Sequence, residues 1–135
     1  MRKNLLMLVL VGVALILTAC GSNEKKTATI NVEMLDVKFR PNEFTLPAGA
    51  EVTFTAKNYD LVPHNFIIFK KGFDAGEKYD HEDDVNVYWR LDVPSLQTHT
   101  LTETFTAPTE PGEYFVACSV HSHLEDGMVG KLIVK

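Results

Sequence analysis

Positive charge is scarce in this sequence. Lys and Arg number 13 against 18 Asp and Glu. Two of the basic residues, Arg2 and Lys3, precede the first acidic residue by a wide margin. From Cys20 onward, eleven basic residues stand against eighteen acidic ones, a net charge of −7 with histidine neutral. Phosphate binding needs a basic face, so the balance argues against nucleic acid as a partner. It permits docking on a basic protein surface. Long apolar runs are scarce too. Leu5 to Leu17 holds 13 residues, fewer than the roughly 20 needed to cross a bilayer. No amphipathic pattern extends over three helical turns, no internal repeat is found, and no second domain is delimited. The chain also lacks a Gly-rich nucleophile motif and any tract of repeated Met or His.

The N-terminus has its own logic. Arg2 and Lys3, the apolar run, and the small residues around Ala19 read as the positive, apolar and cleavage regions of a secretory signal. A short uncut membrane anchor is the alternative that these residues leave open. Leu17-Thr18-Ala19-Cys20-Gly21 resembles the bacterial lipoprotein lipobox. That resemblance implies cleavage before Cys20 and a lipid on its sulfur. The expected organisation is a signal peptide at 1–19, a lipidated Cys20 with a polar tether over 20–28, and one domain over 29–135. The mature chain would be exported and anchored to the outer face of the cell membrane or the periplasmic side. A chain of this size forms one domain with one core.

With Cys20 assigned to the lipid, Cys118 has no partner. An odd thiol in an exported protein can oxidise or pair between molecules. Its presence asks for a reason: burial, metal ligation or catalysis.

The rest of the chain reads as all-β. Ile30, Val32 and Met34 alternate with polar neighbours, as do Val52, Phe54 and Ala56. Val85, Val87, Trp89, Leu91 and Val93 alternate more weakly, and Leu101 and Phe105 share a parity in a Thr-rich stretch opened by His99. Period-two patterns of this kind mark half-buried strands. His64 to Phe69 and Tyr114 to Cys118 are continuously apolar enough for central strands, and Leu-Ile-Val closes the chain. Pro41-Asn42, Pro47-Ala48-Gly49, Pro108 and Pro111-Gly112 supply turns. Lys70 to His81 is expected to be a surface loop, and Asp80 to Asp84 a solvated acidic segment. Many short strands between such turns predict a sandwich or barrel, with Trp89 in its core.

The chemistry gathers near the C-terminus. Cys118, His121, His123 and Met128 fall within eleven residues, between two expected strands. His64, after Pro63 at the mouth of a buried strand, is the best distant fourth group. Two His and one Cys with a weak axial Met is the donor set of a copper electron-transfer site. Zinc accepts Cys and His, but thioether suits it poorly, so Met128 weighs against it.

The stretch from Gly112 through Cys118, His123 and Met128 to Gly130 resembles the C-terminal copper loop of the cupredoxins, the type 1 blue copper proteins. Pro63-His64-Asn65-Phe66 resembles the family's other ligand motif, and Pro47-Ala48-Gly49 followed by Val52-Thr53-Phe54 its earlier strand entry. The resemblance covers roughly 29–135. It implies a Greek-key β-sandwich and one copper, cycling between Cu(I) and Cu(II), on His64, Cys118, His123 and Met128. Spacing of four residues on either side of His123 resembles the longer-loop members. Shorter-loop members would use His121, which would leave six residues before Met128. Many members carry Pro-Gly before the loop histidine, where this chain has His121 and Ser122. Asn65 is implied to tie the His64 strand to the Cys118 loop, and Leu124 and Met128 to form an apolar docking rim. The function implied is single-electron transfer between redox proteins, without a substrate and so without enzymatic turnover; a monomer is the default expectation. The alternative is copper delivery, storage or resistance.

Overall fold

The computed structural model describes residues 24–96 and 100–135. The signal segment, Cys20 and His99 lie outside the described residues. Among the described residues, nine strands form two sheets. They are β1 (Thr27–Met34), β2 (Phe39–Arg40), β3 (Glu43–Leu46), β4 (Glu51–Asn58), β5 (His64–Phe69), β6 (Val87–Val93), β7 (Leu101–Thr106), β8 (Gly112–Ala117) and β9 (Val129–Val134). One sheet has the order β2-β1-β4-β7, the other β3-β9-β8-β5-β6. The chain crosses between sheets after β2, β3, β4, β6 and β7, the Greek-key β-sandwich that the patterning and the resemblance predicted. β1 pairs parallel with β4, and β3 parallel with β9; the other pairings are antiparallel. Thr27 and Ala28, within the expected tether, already belong to β1.

The alternation visible in the sequence sets the inner faces. Ile30, Val32 and Met34 of β1 and Val52, Phe54 and Ala56 of β4 are buried while their polar neighbours stay outside. They meet Phe66, Ile68, Val116 and Leu132 of the other sheet in one core. Phe66 sits at its middle. Its ring centroid is 4.7 Å from Phe54, 5.0 Å from Phe39 and 5.4 Å from Phe44. Trp89 packs on Phe54 and stacks on Phe105 at 4.3 Å, so it is a core-edge residue as expected. All six residues of β5 are buried, because a second cluster of Phe69, Ile67, Ala117 and Leu124 covers the sheet's outer face.

Three segments depart from the sequence expectation. β2 and β3 flank Pro41-Asn42, where only a turn was expected. β2 has two residues, too few for a period, while Glu43-Phe44-Thr45-Leu46 of β3 does alternate out and in but lies between the turn signals at Pro41 and Pro47. Val85 is not in β6: it is 71% exposed and lies in a short 3-10 helix, His81–Asn86. Asp80 caps that helix, accepting from the Glu82 amide at 2.8 Å, and Asp83 accepts from the Asp80 amide at 2.9 Å. This capping box occupies part of the acidic segment with local structure. Asp84 is engaged as well, by His81 at 2.7 Å and by the Tyr79 hydroxyl.

Gly130 lets the edge strand β3 come close. The Lys131 amide donates to the Asn42 carbonyl at 2.8 Å, and a Cβ on Gly130 would stand 2.7 Å from that same oxygen. The neighbour is backbone and has little freedom to yield. Gly130→Ala is therefore expected to destabilise the fold by about 1–3 kcal/mol, the usual cost of overpacking. Urea unfolding of the metal-free chain measures it.

Candidate metal centre

Three strand ends and one loop build the site. His64 opens β5, and Cys118 follows directly on β8, its neighbour in the sheet. Antiparallel pairing of β5 with β8 brings those two ends together without help from the loop. The loop from Cys118 to Met128 then folds back on itself. The Cys118 amide donates to the Met128 carbonyl at 3.1 Å, and the Met128 amide to the His123 carbonyl at 2.8 Å. His123 is held by its own amide, which donates to the Val120 carbonyl at 2.9 Å. Ser122 adopts a left-handed φ of +63°. It stands where many cupredoxins have glycine, so this loop makes the same turn with a residue less suited to it.

The result is a buried cluster. Nδ1 of His64 and Nδ1 of His123 are 3.1 Å apart. Sγ of Cys118 is 3.4 Å from Nδ1 of His123 and 4.0 Å from Nδ1 of His64. The ligating atoms of the three residues all lie within 4.8 Å of one another. Met128 is fully buried in the cluster that contains Cys118. His121, the alternative loop histidine, is exposed and outside this group.

Asn65 joins the two halves as the resemblance implied. Its Oδ1 accepts from the Ser119 amide at 2.7 Å, and its Nδ2 donates to the Ser119 hydroxyl at 2.9 Å. Its backbone N–H points at the Cys118 sulfur at 3.4 Å. Such outer bonds orient metal ligands and tune their donor strength.

One contact was not read from the sequence. Nε2 of His64 is 2.8 Å from Oδ2 of Asp60. The only advance signal is the spacing Asp60-x-x-x-His64, which is too common to carry weight alone. Asp60 also accepts from the Asp36 and Val37 amides at 3.0 Å each. Burial pushes its carboxyl up, but the Val37 amide, His64 and the Asp36 amide outweigh this and hold it below the usual carboxylate range. A carboxylate only accepts, so Nε2 of His64 is the donor in this pair and Nδ1 is the ring nitrogen turned to the cluster. For His123, burial and then the neighbouring His64 depress the pKa, favouring a neutral ring. Burial raises the Cys118 thiol, and the Asn65 and Val120 amides only partly oppose it.

These facts test the fit to a metal ion. A shared cation would take all three groups as ligands, the Cys118 thiol giving up its proton on binding. Nitrogens about 2.0 Å and a sulfur about 2.3 Å from one ion stand roughly 3–4 Å from each other, as these three atoms do. One thiol, two imidazoles and a nearby thioether are the donors that suit copper.

The expected docking rim needs correction. Leu124 and Met128 are both buried, Leu124 beneath the loop against Ile67 and Phe69. A loop that folds back to close on Cys118 carries its own apolar residues inward. The exposed apolar side chains at this end are instead Leu61, 79% exposed, with Val62 and Leu96. Leu96 is held there by its amide, which donates to the Asp60 carbonyl at 3.1 Å. His123 itself is 7% exposed.

Comparison with known proteins gives a consistent picture. Residues 7–134 match the family model of the cupredoxin-like domain. The chain is 34% identical to plastocyanin of Mercurialis perennis over 103 residues, covering 73% of this chain and 89% of that protein. It is 28% identical to the copper-resistant cuproprotein CopI of Rubrivivax gelatinosus over 126 residues, covering 85% of this chain and 71% of the relative. Among solved structures, dithionite-reduced auracyanin from Roseiflexus castenholzii superposes with a TM-score of 0.67 at 30% identity. That match covers 82% of this chain and 98% of the other.

Proposed function

The chain belongs to the cupredoxin family, and on that premise we propose that it is an extracytoplasmic, membrane-anchored blue copper protein that passes single electrons between redox partners. The observation that carries this reading is the buried convergence of His64, Cys118 and His123, with Met128 pinned beside them. These four residues would hold the copper. Bound there, copper supplies a one-electron Cu(I)/Cu(II) couple.

The protein's own part is mostly rigidity. Two paired strands fix His64 and Cys118, and the closed loop fixes His123 and Met128. A ligand set held in place favours small changes in geometry between oxidation states. Burial excludes water from the sulfur, while the 7% exposed edge of His123 gives a short way to the surface. Leu61, Val62 and Leu96 offer an apolar rim for a partner. Cys118 is a poor candidate for a nucleophile, because it is buried and its thiol is shifted up. No substrate is transformed in this reading. Monomeric action, the signal at 1–19, the lipid on Cys20, the tether over 20–28 and the functional domain over 29–135 are parts of the same proposal. The signal, the lipid and the tether rest on the lipobox resemblance and on the polar stretch after Cys20, the domain bounds on the cupredoxin resemblance, and the monomer is the default state. No helix among the described residues is long and apolar enough to cross a membrane.

The similarity to a copper-resistant cuproprotein favours a second reading, copper delivery, storage or resistance, on the same ligands. Transfer of copper to a competing chelator separates the two. Rapid release supports handling of the metal, and retention through repeated redox cycles supports electron transfer.

The full-length protein in detergent, given one equivalent of Cu(II), is expected to show an intense visible band and a narrow copper hyperfine splitting. His123→Ala is expected to lose the band, whereas His121→Ala keeps it. A pale spectrum from the unaltered protein, with Cys118 still reactive to thiol reagents, would overturn the proposal. A band lost with His121 and kept without His123 would overturn the ligand assignment.

A further inference from the structure

Asp60 lies in the connection between β4 and β5, four residues before His64 and outside the proposed ligand set. Its side chain is only 16% exposed. Three N–H groups converge on its two oxygens. The Asp36 amide reaches Oδ1, and the Val37 amide and His64 Nε2 both reach Oδ2. Three donors on one carboxyl call for an acceptor-only group, the carboxylate.

The cradle for that carboxylate is strained. Asp36 and Val37 have φ of +56° and +55°. For a β-branched residue such as Val37 this is a true outlier. Backbone of this kind persists where the surroundings hold it in place. The pair forms the turn of the β1–β2 hairpin, closed by Leu35 and Lys38 exchanging backbone bonds at 3.2 Å, and both of its amides end on the oxygens of Asp60. The Asp36 carboxylate takes no part, being paired with Arg40 at 2.9 Å. Lys38, next in the turn, reaches the Asp126 carbonyl in the loop that carries His123. The turn thus braces both histidines, one through Asp60 and one through the loop.

We propose that Asp60 is a positioning and tuning residue of the metal centre, whose carboxylate fixes His64 with Nδ1 toward the metal, makes that ring a stronger donor, and so favours Cu(II) over Cu(I). The inference rests on the copper reading above. A metal-bound imidazole that donates its other N–H to a carboxylate is held in one tautomer and made more basic. A more basic nitrogen stabilises the more highly charged ion, so the reduction potential falls. A residue that only pinned the 35–38 turn would change stability and leave the potential where it was.

The test is redox titration of the copper-loaded full-length protein and of its Asp60→Asn variant. Asparagine keeps the size and one acceptor oxygen but removes the charge. Loss of an outer partner typically weakens metal binding 10–100-fold. A tenfold loss confined to Cu(II) raises a one-electron potential by 59 mV. The expected result is an intact visible band with the potential raised by about that amount. An intact band with unchanged potential overturns the inference and leaves the copper reading standing. Absence of the band in the unaltered protein counts against the copper reading instead. Should Asp60→Asn fail to fold, the unaltered protein decides. In its diamagnetic Cu(I) form, nitrogen-detected NMR is expected to show His64 with a slowly exchanging Nε2 proton. An Nε2 proton exchanging at the rate of an exposed imidazole overturns the inference.

Discussion

Cys118→Ser is expected to abolish the intense visible band while leaving the fold in place. The band requires a thiolate bonded to copper, and a serine hydroxyl is not deprotonated under conditions where a coordinated thiol is deprotonated outright. His64 and His123 would still present their Nδ1 atoms, so Cu(II) is expected to bind with a pale, type 2-like spectrum and wide hyperfine splitting. Loss of the one thiolate also removes the donor most favourable to Cu(I), and the potential should fall. The scaffold has little reason to fail. The strand pairing of β8 with β5 and β9 uses backbone groups, and the Cys118 amide keeps its bond to Met128. A hydroxyl in place of Sγ still offers the Asn65 N–H an acceptor. Visible and EPR spectra read the first effect, and urea unfolding of the metal-free variant checks the second. An intense band that survives the substitution would remove Cys118 from the site and the blue-copper reading with it.

Legibility in the sequence followed the physics of each part. β1 and β4 were readable because one face of each is buried and the other wet, which forces alternation. β5 was readable for the opposite reason: both of its faces are covered, so all six residues are apolar or engaged at the site. β2 was not, since two residues give no period, and the alternation of β3 is a single short one set between two prolines that read as turns. The approach of Cys118, His123 and Met128 was legible because one short loop carries all three. The joining of His64 to them was legible only through a motif, because 54 residues separate it from Cys118. Asp60 stayed hidden, as its importance depends on a turn 23 residues earlier that takes an unusual backbone shape. Nothing in Leu35-Asp36-Val37-Lys38 announces a left-handed pair, and valine argues against one. The rim was misread on similar grounds. Sequence places Leu124 and Met128 beside His123, yet the loop's closing bonds turn both inward and leave Leu61, Val62 and Leu96 outside.

The largest effect on stability is expected from Phe66→Ala. Phe66 is fully buried between the sheets and touches Phe39, Phe44 and Phe54 at ring distances near 5 Å, so it links β2, β3 and β4 to β5. Truncation removes the ring's transfer energy and leaves a void that three aromatic neighbours on fixed strands cannot fill. The loss for such a change is about 3–5 kcal/mol. Small domains are stable by only about 5–15 kcal/mol, so about a fifth or more of the total is at stake. The site should feel it as well. Phe66 lies two residues after His64, and Asn65 between them holds Ser119 and faces the Cys118 sulfur. If β5 gains freedom, His64 and Cys118 lose their fixed separation before the protein unfolds. Copper-loaded Phe66→Ala is therefore expected to unfold at lower urea than the unaltered protein, with a broader and weaker visible band below that transition. Phe66→Leu, which refills part of the volume, should recover much of both losses. A midpoint unchanged by the alanine variant would show that the core closes over the gap, and that rigidity at the metal centre comes from the loop rather than from the sandwich beneath it.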